Sequence, residues 1–128
     1  MKALFEAIRS HYNDSAVSEL STGMYLTQAP AESVFPYVVT QLVSGVADDF
    51  ASGSAFSENS LVQFNLFDDA PSMSRLLEIY AALRTAFDFA ALTVVGTTAL
   101  SCVWEAVLQT KIEEVWMINV LYRTKTRV

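Results

Sequence analysis

The side chains that most often carry out catalysis are scarce in this 128-residue chain, which has one cysteine and one histidine. Cys102 has apolar neighbours on both sides, which favours a buried thiol, whereas a reactive thiolate needs a basic neighbour. His11 lies in a segment rich in helix formers, so we expect it on a helix surface or at a helix end. The sequence therefore predicts neither a Cys–His nucleophile nor an intramolecular disulfide.

Carboxylates are the remaining candidates for chemistry. Asp48-Asp49 and Asp68-Asp69 are adjacent pairs, and neighbouring residues of a strand point to opposite faces, so such pairs chelate poorly. A weak divalent-ion site is conceivable only if the segment Gly45–Glu58 folds its acids together. The four glycines are scattered and form neither a Walker loop nor a G-x-G-x-x-G motif. We therefore expect no enzyme activity, no cofactor and no metal.

Composition indicates a single domain over residues 1–128 with a surplus of apolar side chains. Hydrophobic residues make up 52% and charged residues 17% of the chain, against about 25% charged residues in typical soluble domains. A small domain of this composition exposes apolar surface as a monomer, and such surface marks a contact site. We expect self-association; the alternative is a well-packed monomer with a rich core.

Charge is unevenly distributed along the chain. The net charge is −6, and residues 1–69 hold nine acids and two bases, whereas the last six residues carry Arg123, Lys125 and Arg127 without an acid. This overall acidity argues against a nucleic-acid-binding domain, which needs clustered bases. The asymmetry favours head-to-tail contact between copies, with a merely solvated C-terminus as the alternative.

The chain contains no predicted targeting or membrane segment. Glu6 and Arg9 interrupt the apolar run that a signal peptide would need. The longest uncharged run, residues 89–104, falls short of the ~20 residues of a membrane-spanning helix. We expect an intracellular protein.

Hydrophobic periodicity predicts an α+β domain with a mostly antiparallel or mixed sheet and two main helices packed on it. The helices are expected at 2–12 and 72–87, the second with Met73, Leu76, Leu77, Tyr80, Leu83 and Phe87 on its buried stripe. A long polar loop or hairpin tip is expected over 45–60, with Asp48, Asp49, Phe50 and Phe56 as candidate contacts. Strands are expected at 19–29, 35–43, 61–68, 92–95, 100–109 and 115–124, and the fifth places Leu100, Cys102, Trp104, Ala106 and Leu108 on one face.

Three segments in order resemble a known family. They are FPYVVTQLVSG from residue 35, VQFNLFDDAPSMSRLLEIYAALRTAF from residue 62, and VWMINVLYRTKT from residue 115. Together they resemble the tail completion (tail terminator, head–tail joining) proteins of long-tailed bacteriophages, over roughly residues 2 to 125. The segment Thr97–Lys111, with Trp104, departs from that pattern by being longer and more apolar.

The resemblance implies a structural virion protein that forms a homohexameric ring at the head-proximal end of the tail. Such a ring ends tube polymerisation and contacts the tail tube protein and the head connector protein, with genome DNA able to pass through it without sequence-specific binding. It is assembled in the host cytoplasm. Residues 45–58 correspond to a family loop that becomes ordered on assembly. We expect subunit contacts around Trp104, Ala106 and Leu108, aided by Arg123, Lys125 and Arg127.

Two other functional classes remain open at this stage. A small-ligand-binding domain would line an apolar pocket with Trp104, Trp116, Phe64 and Tyr80. A heteromeric adaptor protein would stay a monomer or dimer and bind only a different chain. Ligand-induced thermal stabilisation would indicate the pocket, whereas stabilisation that rises with protein concentration would indicate the ring.

Overall fold

The computed structural model describes residues 2–44, 60–88, 91–92 and 100–126. The predicted contacts Asp48, Asp49, Phe50, Phe56 and Arg127 lie outside these residues, as does the proposed long loop. The described helices are α1 (Lys2–Asn13), α2 (Val17–Leu20) and α3 (Ser74–Phe87). The described strands are β1 (Met24–Leu26), β2 (Tyr37–Ser44), β3 (Ser60–Asp68), β4 (Ala91–Leu92), β5 (Leu100–Ile112) and β6 (Val115–Thr126).

The strands form one mixed sheet in the order β1-β2-β3-β6-β5-β4. The short strand β1 runs parallel to β2, and all the other neighbours are antiparallel. The predicted α+β class and mixed sheet are therefore confirmed. Strands β1 and β4 lie at opposite edges of the sheet, and β4 pairs only with the first two residues of β5.

The core lies between one face of this sheet and the helices. In β3 the inward residues alternate with the polar Gln63 and Asn65, as predicted. Val62, Phe64 and Leu66 of β3 are buried, and they face Tyr122, Val120 and Ile118 of β6 in register. Helix α3 covers them with Leu76, Ile79, Leu83 and Phe87, and α1 adds Ile8 and Tyr12.

The predicted buried stripe of α3 was wrong at two positions. Leu77 is 42% exposed, and Ile79, which that stripe omitted, is fully buried. The buried residues Leu76, Ile79 and Leu83 follow the spacing i, i+3, i+7, which places them on one side of a helix. Leu77 lies a full 100° away from Leu76 around the axis and faces outward.

Helix α1 packs against α3 through its last turn, where the histidine lies. His11 is half-buried, its Nε2 lies 2.6 Å from the backbone oxygen of Ala86, and its ring meets Phe87 edge-on at 4.9 Å. The predicted position of His11 at a helix end is confirmed, and its side chain also links α1 to α3. The predicted strand over 19–29 was too long. The four-residue helix α2 occupies its first two residues, and only Met24–Leu26 forms a strand.

The predicted single face of β5 was wrong beyond Trp104. Trp104 pairs with the inward residue Tyr122, but Ala106 pairs with Leu121 and Leu108 with Asn119, which both lie on the opposite face. The cause is a β-bulge that inserts Glu105 as one extra residue. An extra residue exchanges the two faces of the strand, so Ala106 and Leu108 leave the core side.

Candidate subunit interface

The second half of β5 is exposed on both of its faces. We call residues 105–112 the β5 arm; Glu113 and Glu114 form the two-residue turn at its tip. Leu108 is 64% exposed and Ile112 58%, and Val107 is also exposed. In the described part of the chain, β4 pairs with β5 only at Leu100 and Ser101, so no described strand covers the outer edge of the arm. Exposed apolar side chains beside an uncovered strand edge are typical of a protein contact site.

The first half of β5, in contrast, is fixed to the core. Cys102 is buried, and burial raises the pKa of its thiol to about 12, so it is a packing residue as predicted. The guanidinium of Arg84 lies 4.5 Å from the centre of the Trp104 ring. These contacts hold the strand against α3 immediately before the bulge.

A partly buried polar network supports that junction. Asp88 accepts hydrogen bonds from Arg84 Nε at 2.7 and 2.8 Å and from the Tyr122 hydroxyl at 2.6 Å. Burial and the carboxylate of Asp88 raise the pKa of Tyr122 well above its ordinary value, so this hydroxyl remains a donor. The Tyr80 hydroxyl accepts a further hydrogen bond from Arg84 at 3.1 Å. The network joins the end of α3 to β6, and through Trp104 to β5.

The bulge residue Glu105 forms an ion pair with Arg123 of β6, with Oε1 and Nε 2.5 Å apart. Both side chains are about one third exposed, so the pair contributes little to stability, about 0–1 kcal/mol. Arg123 was predicted to act between copies, and within the chain it already has this partner. Lys125 lies in β6, but its side chain is outside the described set.

The sheet face turned away from the helices has a shallow groove beneath the arm. The groove has a volume of about 330 Å³ and is lined by Gln63, Ala106, Val107, Leu108, Met117, Asn119 and Leu121. At its floor, Asn65 Oδ1 accepts hydrogen bonds from Gln63 and, at 2.5 Å, from Asn119. Ala106 and Leu108 thus come together as predicted, but they share this outer face and not that of Trp104.

A second apolar groove lies at the opposite edge of the sheet. It has a volume of about 290 Å³ and lies between α1 and β1, lined by Phe5, Glu6, Arg9 and Leu26. Leu26 is 39% exposed, and Arg9 donates one long hydrogen bond of 3.4 Å to the backbone oxygen of Met24. The sequence did not identify this groove, because its residues come from a helix and an edge strand separated by 15 or more positions.

The residues of the alternative ligand pocket mostly pack the core. Phe64 is 2% exposed and contacts Phe87 and Tyr122, with ring centres 4.9 and 5.8 Å apart. Trp104, Trp116 and Tyr80 pack partly buried against the same cluster. Among the described residues, no three His, Cys, Asp or Glu side chains are grouped so that they could hold a metal ion. No helix in the same residues is long and apolar enough to span a membrane.

Comparisons with known proteins find likeness at the level of the fold. No protein-family model matches the sequence, and no curated protein matches it. Among solved structures, a chain in the virion of a native gene transfer agent particle superposes with a TM-score of 0.66 at 13% sequence identity. The match covers 91% of this chain and 89% of that chain. This chain therefore has the same fold as a component of a gene transfer agent virion, along nearly the whole length of both.

Proposed function

We propose that this chain is a structural, non-enzymatic protein of a phage-like virion and forms a homohexameric ring at the head-proximal end of a tail. The observation that carries the proposal is the shared fold with a gene transfer agent virion chain over 91% of this sequence. The resemblance of three segments between residues 35 and 126 to tail terminator proteins supports the same assignment. In this position the protein ends tube polymerisation, with the tail tube protein on one side and the head connector protein on the other.

The β5 arm supports an assembly role. Its exposed leucine and isoleucine sit on a strand half that the core does not cover, and burying such side chains at a contact is worth about 25 cal/mol per Å² of apolar surface. A ring is built from head-to-tail contacts between two different surfaces of each copy. The arm and the groove at the β1 edge are two such surfaces on opposite edges of one sheet.

The net charge of −6 fits a ring around a DNA passage. Acidic side chains facing a lumen repel phosphates, so DNA can move through without binding. A central passage also requires no cofactor or catalytic group.

Mass measurement and electron microscopy of the purified protein test this proposal. We expect particles of six 14.1 kDa subunits, roughly 85 kDa by light scattering, seen as rings in electron micrographs and binding the ends of tubes made by the tail tube protein. A protein that remains monomeric at high concentration, both alone and with the tube protein, would contradict the proposal.

A further inference from the structure

The β5 arm and the α1–β1 groove are apolar surfaces at opposite edges of the sheet. Strand β5 lies next to one edge and β1 forms the other, with three strands between them. One surface projects, because Ile112 is 58% exposed beside the turn at the arm tip. The other is concave, because Phe5, Glu6, Arg9 and Leu26 enclose the groove of about 290 Å³. A projecting branched side chain and an apolar groove of this size are complementary in shape.

Charge distinguishes contact between unlike surfaces from contact between like surfaces. Ile112 is followed directly by Glu113 and Glu114, whereas the groove is lined by one carboxylate, Glu6, and one guanidinium, Arg9. Two arm tips facing each other would bring four carboxylates together. The nearby Lys111 ammonium lies over the Trp116 ring, 4.7 Å from the ring centre. Like charges across an interface disfavour association, whereas a carboxylate beside an arginine favours it.

We infer that the arm tip of one copy docks in the α1–β1 groove of the next copy, with Ile112 in the groove and Glu114 beside Arg9. This inference rests on the proposed ring and specifies its subunit contact. Because each copy offers one tip and one groove on opposite edges, the contact is head-to-tail and repeats around the ring until it closes. The partner is a second copy of this chain.

Two single variants and their mixture test the contact. Ile112→Arg removes the tip and leaves the groove intact, while Leu26→Glu places an acid in the groove and leaves the tip intact. We expect each variant alone to be monomeric, with self-association weakened about thirtyfold or more. Mixed in equal amounts, they still share one intact tip and one intact groove, so we expect a two-subunit complex that grows no further.

Matched controls separate loss of contact from loss of folding. Leu77→Arg on α3 and Leu20→Glu on α2 are the controls. These two leucines are 42% and 40% exposed, close to the 39% of Leu26. We expect both controls to assemble as the unchanged protein does, and all four variants to keep its circular dichroism spectrum. Arg9→Glu is a second groove variant, and adding Glu114→Arg to the same chain should restore assembly by exchanging the charges.

The outcomes distinguish this contact from the ring proposal itself. If the unchanged protein forms rings but either single variant assembles equally well, the contact is wrong and the ring stands. A mixture that stays monomeric while the unchanged protein forms rings also overturns the contact, because it shows that tip and groove do not meet. If the unchanged protein forms no ring with or without the tube protein, both proposals fall.

Discussion

The two halves of β5 differ in burial although they belong to one continuous strand. Before the bulge, Cys102 is 3% exposed and Trp104 stacks under Arg84. After it, Leu108 is 64% exposed and Ile112 58%. One inserted residue, Glu105, separates a half that helps to stabilise the fold from a half that is available for contact.

This difference shows how a small apolar chain can bury a core and still leave apolar side chains at its surface. The half of β5 before the bulge packs toward α3, which ends at Phe87. Arg84 of α3 contacts Trp104, the residue that directly precedes the bulge. Beyond that point no described helix covers the strand, so its apolar residues stay at the surface. Changes in the first half should therefore lower stability, and changes in the second half should lower assembly alone.

The largest effect on stability is expected from Phe87→Ala. Phe87 is fully buried and contacts His11, Phe64 and Tyr122, so its removal leaves a cavity where α1, α3 and the sheet meet. We expect a loss of about 3–5 kcal/mol in the free energy of unfolding, measured by urea denaturation. Leu108→Ala, measured under dissociating conditions, should lose under about 0.5 kcal/mol. Equal losses in the two variants would show that the arm is part of the core.

The next effect concerns the buried carboxylate that joins β3 to α3. Asp68 is fully buried and accepts a hydrogen bond of 2.9 Å from Arg75 Nε and another from its Nη2. Burial raises the pKa of Asp68, but the hydrogen bonds and charge of Arg75 outweigh it, and the pKa lies below its ordinary value. We expect Arg75→Ala to lower the free energy of unfolding by about 2 kcal/mol at pH 7. Arg75→Lys should lower it less, because lysine restores the charge without the paired hydrogen bonds.

The pH dependence checks the cause of that loss. Because the pKa of Asp68 is lower in the folded than in the unfolded protein, its contribution is present above about pH 4 and is lost as the pH falls through the folded value. Denaturation curves between pH 7 and pH 2 should show the difference between the unchanged protein and Arg75→Ala shrinking below pH 4. A difference that is constant over this range would mean that Arg75 acts through packing and not through the carboxylate.

The buried faces of β3 and α3 were largely predictable from the sequence, because each follows from a local pattern of apolar residues. Strand β3 alternates Val62, Phe64 and Leu66 with polar residues, and that alternation alone identifies its inward face. The predicted stripe of α3 also contained Leu76, Leu83 and Phe87, which are buried, although it omitted Ile79. Including Leu77 was an avoidable error, since two adjacent helical residues differ by 100° in direction.

The exposure of the β5 arm could not be predicted in the same way. A bulge is defined by the pairing of two strands, and the sequence of β5 alone reads as an unbroken alternation through Glu105. The ion pair of Glu105 with Arg123 and the α1–β1 groove likewise depend on residues that are distant in the chain. The apolar content of the segment was visible, and it drew attention to Trp104, Ala106 and Leu108 but not to Ile112, which is 58% exposed.

Deleting Glu105 should separate folding from assembly. The deletion leaves Trp104 paired with Tyr122 and Ala106 with Leu121 in a regular ladder, so every apolar residue keeps its face. It removes the extra bend and twist that a bulge gives a strand and the exposed ion pair with Arg123. We expect a change of about 1 kcal/mol or less in stability and a clear loss of rings by light scattering.

Glu105→Gln is the control for that deletion, because it removes the charge and keeps the bulge. Assembly should survive Glu105→Gln if the direction of the arm is what matters. If the deletion variant forms rings as well as the unchanged protein, the bend of the arm has no part in the contact.

The smallest effect is expected at the tip itself, in the turn between the two long strands. Glu113 has a φ of 55°, in the left-handed region where a side chain is strained and glycine is not. Glu113→Gly should therefore raise the free energy of unfolding by about 0.5–1 kcal/mol, seen as a higher denaturation midpoint under dissociating conditions. Glu114→Gly is the matched control: its residue is not among those of positive φ, so glycine there adds freedom to the unfolded chain and should lower stability. Equal shifts in both variants would mean that charge at the tip, and not backbone strain, governs the turn.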